Sequence, residues 1–237
     1  MCGRYALAHE AAELADYFAA EPVSSPDRLD LPPRFNIAPT TTSYIVVDEQ
    51  AGRFLETARW GLIPSWSRDA SRAPGMFNAR SETAAEKPAF RSAFRRRRCL
   101  VPADGYYEWQ ARSVAEKKVK QPFYFHAADD QVLAFAGLYE DWTSSQGNSE
   151  GKLRTFTILT QDARGPLASI HDRMPVFIDR ESWDSWLALD TPEVEVQTLV
   201  QSRLCANDLV FHPVSTAVNK ATHESSNLVT RVELPNQ

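Results

Sequence analysis

The chain has 237 residues, of which 43% are hydrophobic and 24% charged, a composition typical of a folded globular protein rather than a disordered one. No apolar run reaches the roughly 20 residues of a membrane-spanning helix, and the N-terminus lacks the pattern of a signal peptide. The three cysteines, Cys2, Cys99 and Cys205, are odd in number and far apart, which argues against a disulfide framework and favours a cytoplasmic protein. No metal-binding or nucleotide-binding spacing occurs, so we expect neither a metal nor another cofactor.

The charge is unevenly distributed along the chain. The net charge is −5, yet residues 53–98 contain 11 basic and only 4 acidic side chains, so the remainder is strongly acidic. A basic surface on an acidic protein is the layout expected of a chain that binds a polyanion. The run Arg95–Arg98, taken alone, is better explained as the solvated end of a helix.

The first quarter of the chain predicts one helix and two strands. Apolar residues recur at helical spacing over residues 8–20, and Pro22 ends this predicted helix. The segments that follow are a Pro- and Ser-rich connection over 21–33, a compact non-helical segment over 35–39, and two strands over 43–48 and 53–62 joined by a turn at Gly52.

The rest of the chain predicts more strands than helices. We expect strands over 99–102, 105–110, 122–127, 132–137, 153–160, 176–178 and 209–214, and helices over 89–97, 182–189 and 192–203. A surface loop is expected over 143–151, and a polar tail from about residue 220 to 237. The predicted fold is therefore a single α+β domain over 1–237, built on a mixed, mostly antiparallel, barrel-like sheet with flanking helices.

Cys2 directly follows the initiator Met1. If Met1 is removed, Cys2 carries a free α-amine and a thiol on adjacent carbons, and such an amine attacks aldehydes to give a Schiff base. The neighbouring thiol can then close onto the imine carbon as a five-membered thiazolidine ring. Taken alone, the pattern favours the simpler interpretation of a small buried residue after the start of the chain.

Two further polar residues are candidates for a site. Glu108 lies in a predicted strand among Tyr106, Tyr107 and Trp109, where it is either exposed or held in a site with a raised pKa. The period of two places it on the face of Tyr106, which does not decide between these alternatives. His171 lies in a polar loop that core packing explains poorly, although most isolated histidines are structural or merely exposed.

Trp66 lies in a predicted loop that also contains several arginines. An aromatic ring among basic side chains suits stacking on bases beside phosphate contacts. An ordinary surface loop with one anchoring tryptophan explains the same pattern.

Eight sequence blocks, in order, resemble the SRAP family, the SOS-response-associated peptidases or abasic-site-processing proteins. They are Met1–Tyr5, Arg34–Pro39, Arg59–Trp66, Asn78–Thr83, Arg98–Trp109, Phe135–Glu140, His171–Pro175 and His212–Ser215. The resemblance implies that Met1 is removed, with the protein itself as a candidate for the peptidase. It also implies that Cys2 captures the aldehyde of an abasic site in single-stranded DNA as a thiazolidine, in DNA repair.

The same resemblance implies roles for individual residues. Asn78 would position the amine and thiol of Cys2, Glu108 would act as general acid and base, and His171 would assist the proton transfers. The residues that would contact DNA are Arg4 and Arg80 at phosphates, and Asn36, Pro39, Trp66 and Thr160 along the DNA path. The implied partner is single-stranded DNA containing abasic sites, bound by a monomer that associates with the nucleoid.

Two other functions remain open at this stage. Glutamine amidotransferases with an N-terminal nucleophile also begin Met-Cys-Gly, and they use the cysteine thiol on an amide, so the start of the chain is ambiguous by itself. A single-strand-binding module without a covalent step is the other alternative. Glutaminase activity would favour the first, and DNA binding without a denaturant-stable adduct would favour the second.

Overall fold

The computed structural model describes residues 2–22, 30–68, 75–114, 117–143, 152–201 and 209–234. Most of the loop predicted over 143–151, part of the connection over 21–33, Arg72, Cys205 and the last residues of the predicted tail lie outside this described part. Within it, no helix is long and apolar enough to cross a membrane.

Thirteen strands and five helices make up the regular structure of the described residues. The strands are β1 (Tyr5–Leu7), β2 (Glu21–Pro22), β3 (Arg34–Ile37), β4 (Thr42–Glu49), β5 (Gly52–Trp60), β6 (Asn78–Arg80), β7 (Arg98–Ala103), β8 (Gly105–Val114), β9 (Lys117–Ala127), β10 (Leu133–Trp142), β11 (Leu153–Asp162), β12 (Arg173–Pro175) and β13 (Leu209–Pro213). The helices are α1 (Ala11–Phe18), α2 (Ser81–Ala84), α3 (Arg91–Arg96), α4 (Trp183–Leu187) and α5 (Glu193–Gln201).

Helix α1 is shorter than the sequence pattern predicts. It begins after Glu10, whose side chain forms a capping box with Glu13, and it ends at Ala19, which adopts the left-handed conformation with φ of 49°. Leu14 and Phe18 are buried as the apolar spacing predicts. Capping groups and one left-handed residue therefore decide the ends, while the apolar period decides only that a helix forms.

One prediction is corrected near the site. The strand predicted over 176–178 forms earlier, as β12, and Phe177 makes only an isolated bridge to Phe135. Residues 77–84, for which the sequence pattern predicts no regular element, contain strand β6 and helix α2. Strand β6 forms because it pairs in parallel with β11, a long-range contact that its own composition does not indicate.

Strands β4, β5, β7, β10 and β11 form a barrel-like ring. Neighbours in this ring pair antiparallel, except that β11 closes onto β5 in parallel, with Phe156 opposite Trp60. Aromatic rings fill the interior: Tyr5 contacts Trp60 edge-on with a centroid separation of 5.1 Å, and Phe135 at 6.2 Å. The expected α+β class with a barrel-like mixed sheet is confirmed.

A second sheet runs in the order β13, β9, β8, β1, β3 and places the start of the chain between two site-bearing strands. Tyr5 of β1 pairs with Tyr106 of β8 on one side and with Ile37 of β3 on the other. Cys2 is consequently held close to the strand that carries Glu108, and next to the strand that carries Asn36.

The segment after β13, which has a polar composition, packs against the body of the protein. Leu228 is only 2% exposed, and Val214 forms a β-bridge with Arg231. Two 3₁₀ helices occupy the segment, at Thr216–Asn219 and Ser226–Val229. Residues 214–234, the late part of the chain, are thereby brought back to strand β3.

Candidate active site

Cys2 is completely buried, and Asn78 holds its main chain. The Asn78 side-chain amide donates a hydrogen bond of 2.6 Å to the Cys2 carbonyl oxygen. Burial raises the pKa of the Cys2 thiol, and the negative charge of Glu108 raises it further. The sulfur is therefore protonated near neutral pH, and a base must remove its proton before it can bond to carbon.

Glu108 faces the interior from strand β8, on the same face as Tyr106, as the period of two predicts. Glu108 is only 3% exposed, so it is buried rather than exposed, the alternative that the strand pattern left open. Burial raises its pKa from 4.5 to about 7, and the charge of Asp172 contributes in the same direction. A carboxyl group with this pKa donates and accepts protons near neutral pH.

His171 faces Glu108 across the site, with 3.7 Å between its Nε2 and the Glu108 Oε2. His171 Nδ1 lies 3.0 Å from the backbone nitrogen of Arg173, 3.3 Å from the Arg173 carbonyl oxygen and 2.9 Å from Asp172 Oδ1, so either tautomer of the ring finds a partner there. Burial lowers the pKa of His171, so the neutral ring is the form at neutral pH.

A groove of about 430 Å³ opens beside these residues. It is lined by Phe77, Glu108, Trp109, Lys120, His171 and Asn219. Acidic, imidazole and ammonium groups thus share one aromatic-walled space. A second cavity of about 410 Å³, between α1 and α4, contains none of the predicted site residues.

Arg4 and Asn36 form a buried hydrogen-bond network with the late part of the chain. Arg4 Nη1 donates to the Asn36 side-chain oxygen at 2.7 Å and to the Val218 carbonyl at 2.8 Å. The Asn36 amide donates to the carbonyl oxygens of Val218, Lys220 and His223, the last at 2.8 Å. Asn36 is fully buried, so it holds Arg4 and residues 218–223 in place.

The remaining predicted DNA contacts differ in exposure. Thr160 and Arg80 are opposite each other in the β11–β6 pair. Arg80 is exposed, whereas Thr160 is only 1% exposed. The carbonyl oxygen of Thr160 accepts a 2.6 Å hydrogen bond from the Arg173 side chain. Trp66 is 63% exposed in the loop after β5, and Pro39 is half-buried after β3.

The structure brings four predicted residues together: Cys2, Asn78, Glu108 and His171. The groove also contains Trp109, Lys120 and Asn219, which sequence reasoning did not single out. The strand period placed Trp109 on the face away from Glu108, and Asn219 lies where the predicted polar tail begins. Only long-range packing unites these residues with the site.

Comparisons with known proteins identify relatives of this chain. A family model described as SOS response associated peptidase (SRAP) matches residues 1–221. Abasic site processing protein YoqW from Bacillus subtilis is 34% identical over 230 residues, which is 97% of this chain and 99% of that protein. Abasic site processing protein HMCES from Gallus gallus is 30% identical, over 85% of this chain and 67% of that protein.

A solved structure extends the agreement to the fold. A protein from Bacteroides thetaiotaomicron superposes with a TM-score of 0.84, at 23% identity, over 98% of this chain and all of that one. The resemblance that the eight sequence blocks indicate is thereby confirmed, and the chain belongs to the SRAP family, the SOS response associated peptidases.

Proposed function

We propose that the chain processes abasic sites in DNA by forming a covalent crosslink through Cys2 after Met1 is removed. The observation that carries this proposal is the cluster in which Glu108 faces His171 while Asn78 holds the Cys2 main chain. The names of the family relatives support the same substrate, since they are called abasic site processing proteins.

In the proposed reaction, the α-amine of Cys2 attacks the aldehyde carbon of the ring-opened deoxyribose. Loss of water gives an imine, and the Cys2 sulfur then bonds to the imine carbon while the thiol proton passes to the imine nitrogen. The product is a thiazolidine, and one water molecule is released overall. Proton transfer is needed at each stage, because the closed sugar hides its aldehyde and the buried thiol holds its proton tightly.

Glu108 is the proposed carrier of these protons. With a pKa of about 7 it is present in both forms at neutral pH, so it can protonate the leaving oxygen and later accept the thiol proton. The neutral imidazole of His171 faces this carboxyl group with its Nε2, which allows it to orient the acid and assist the transfers.

The proposed DNA path is a single strand. Arg4 and Arg80 hold the phosphates beside the abasic site, and the exposed Trp66 ring stacks on a neighbouring base, worth about 1–3 kcal/mol for such a contact. Pro39 lines the path, and Asn36 acts by holding Arg4. Thr160 is buried and acts from β11 by pairing with β6, the strand that carries Arg80. We propose a monomer for this role.

The crosslink is tested by mixing the processed protein with single-stranded DNA that carries one abasic site. We expect a denaturant-stable adduct with the wild type. Cys2→Ala should give no thiazolidine, because it lacks the thiol that closes the ring. Cys99→Ala is the matched control, since it removes a second buried thiol and should retain the adduct. A Cys2→Ala protein that crosslinks as stably as wild type would exclude the mechanism.

Glu108→Gln separates catalysis from binding. We expect slower adduct formation with nearly unchanged affinity for undamaged single-stranded DNA. The glutamine amide keeps the shape of the glutamate side chain but cannot donate and accept a proton near neutral pH. An equal loss of adduct rate and of DNA affinity would make Glu108 a structural residue.

Glutaminase activity should be absent from the wild type, since the raised pKa of the Cys2 thiol disfavours the thiolate that attacks an amide.

We also propose that removal of Met1 is a hydrolysis in which the chain itself takes part, which would account for the peptidase in the family name. Intact mass measurement of the purified protein tests this directly. The wild-type mass should lack the Met1 residue, whereas a fraction of the Glu108→Gln molecules should still carry it. Complete removal in both would show that the step does not need Glu108, and would contradict the part proposed for the site.

A further inference from the structure

Asn219 joins the late part of the chain to the groove. It is the last residue of the 3₁₀ helix Thr216–Asn219, which begins at Ser215, whose side chain accepts a hydrogen bond from the Ala217 N–H. The side-chain oxygen of Asn219 accepts a 2.7 Å hydrogen bond from the indole N–H of Trp109. A single hydrogen bond thus connects Trp109 with Asn219, which are 110 positions apart in the chain.

Trp109 needs such a partner to hold its orientation. It is half-buried, and its position in strand β8 directs it away from the face that carries Glu108. Nevertheless Trp109 lines the same groove as Glu108 and His171. The χ2 torsion of an aromatic side chain is broad, so packing alone leaves the ring several orientations, and a hydrogen bond to the indole N–H selects one.

Both ends of this contact are anchored. Val218, directly before Asn219, is fully buried, and its carbonyl oxygen accepts hydrogen bonds from Arg4 and Asn36. The Arg4 guanidinium also lies 5.9 Å from the centroid of the Trp109 ring. The ring is therefore held between a proposed phosphate ligand and the Asn219 amide.

We infer that Asn219 is a positioning residue for the crosslinking reaction, acting through Trp109. By accepting from the indole N–H it fixes the ring as a wall of the groove, against which the base-free deoxyribose is placed toward Glu108 and His171. The inference rests on the proposed function. It assigns a reaction-specific role to a side chain from the last tenth of the chain.

A double-mutant cycle tests this inference with Asn219→Ala, Trp109→Phe and the double variant. Trp109→Phe retains an aromatic ring but lacks the N–H donor. The measurement is the single-turnover rate of adduct formation on single-stranded DNA with one abasic site, together with the affinity for undamaged DNA. Asn219→Leu, close to asparagine in shape, covers the case in which alanine loosens the 3₁₀ helix.

We expect Asn219→Ala and Asn219→Leu to slow the reaction about threefold to tenfold, the usual effect of one lost hydrogen bond. In the Trp109→Phe background the same substitutions should cause little further loss, because the donor is already gone. Asn227→Ala, an exposed asparagine of the other 3₁₀ helix, should react at the wild-type rate.

An equal fold-loss from Asn219→Ala in both backgrounds would overturn the inference, since Asn219 would then act independently of Trp109. Unchanged rates in both Asn219 variants would overturn it as well. If the wild type itself forms no adduct, the proposed function fails instead, so the two failures are distinguishable.

Discussion

Glu108 shows how burial and reactivity are linked at a single residue. The side chain stands on the core-facing side of a strand, where desolvation favours its neutral form and brings its pKa to about 7. The same desolvation raises the pKa of the neighbouring Cys2 thiol. The proposed site therefore contains a carboxyl group able to exchange protons and a sulfur that releases its proton only to a nearby base.

This shift predicts a pH-dependent stability. Because the folded-state pKa of Glu108 lies above its ordinary value of 4.5, its stabilising contribution is complete below pH 4.5 and is lost as the pH rises through about 7. Glu108→Gln lacks this loss, so its free energy of unfolding relative to wild type should increase by up to about 3 kcal/mol between pH 5 and pH 8. Urea denaturation at both pH values measures it.

The matched control for this prediction is Glu195→Gln, an exposed residue of α5. Its free energy of unfolding relative to wild type should change little between the two pH values. A difference between Glu108→Gln and wild type that stays constant with pH would show that ionisation of Glu108 does not oppose folding.

At the scale of elements, strands β1, β8 and β9 hold the reactive end of the chain. Gly105 begins β8, pairs with Ala6 of β1, and lies opposite His126 of β9. A Cβ atom at Gly105 would overlap the Phe125 carbonyl oxygen and come within 2.5 Å of the Tyr124 ring. Close packing of β8 against the backbone and the Tyr124 side chain of β9 therefore requires glycine here.

Gly105→Ala is accordingly expected to destabilise the protein by about 1–3 kcal/mol, because β8 must move away from β9, and to slow adduct formation, because β8 carries Glu108. Gly75→Ala is the control, since a Cβ atom there meets no atom within 4 Å. Thermal unfolding and the adduct rate are the measurements. Equal unfolding temperatures for the two variants would contradict the tight packing at Gly105.

At the scale of the whole molecule, the basic segment 53–98 is divided between structural and exposed positions. Arg98 is buried and donates to the carbonyl oxygens of Phe94 and Arg95, and Arg97 pairs with Glu140 at 2.7 Å. The Arg95–Arg98 run thus serves mainly the end of helix α3 and the core. Arg80 remains exposed beside the site-bearing strands.

Arg80→Ala should therefore weaken binding to single-stranded DNA and reduce the slope of log affinity against log salt by about 1. Arg95→Ala is the control, because Arg95 pairs with Glu193 on the surface near α5 and should leave the slope unchanged. Fluorescence anisotropy across a salt series measures both. An Arg80→Ala slope equal to wild type would remove Arg80 from the DNA path.

The sequence alone determined the α+β class, most strand positions and the family, because apolar periodicity and short motifs are local properties. It placed Cys2, Asn78, Glu108 and His171 in separate motifs and implied their roles only through resemblance. Element ends were less accurate, as with α1, because a capping box and one left-handed residue decide them.

Only the tertiary structure decided that Glu108 is buried, that Asn36 holds Arg4, and that Asn219 contacts Trp109. Each of these depends on hydrogen bonds or strand pairs between residues far apart in the chain. Such contacts leave no periodic signal in the sequence, since they are selected by packing and by the need to pair buried polar groups.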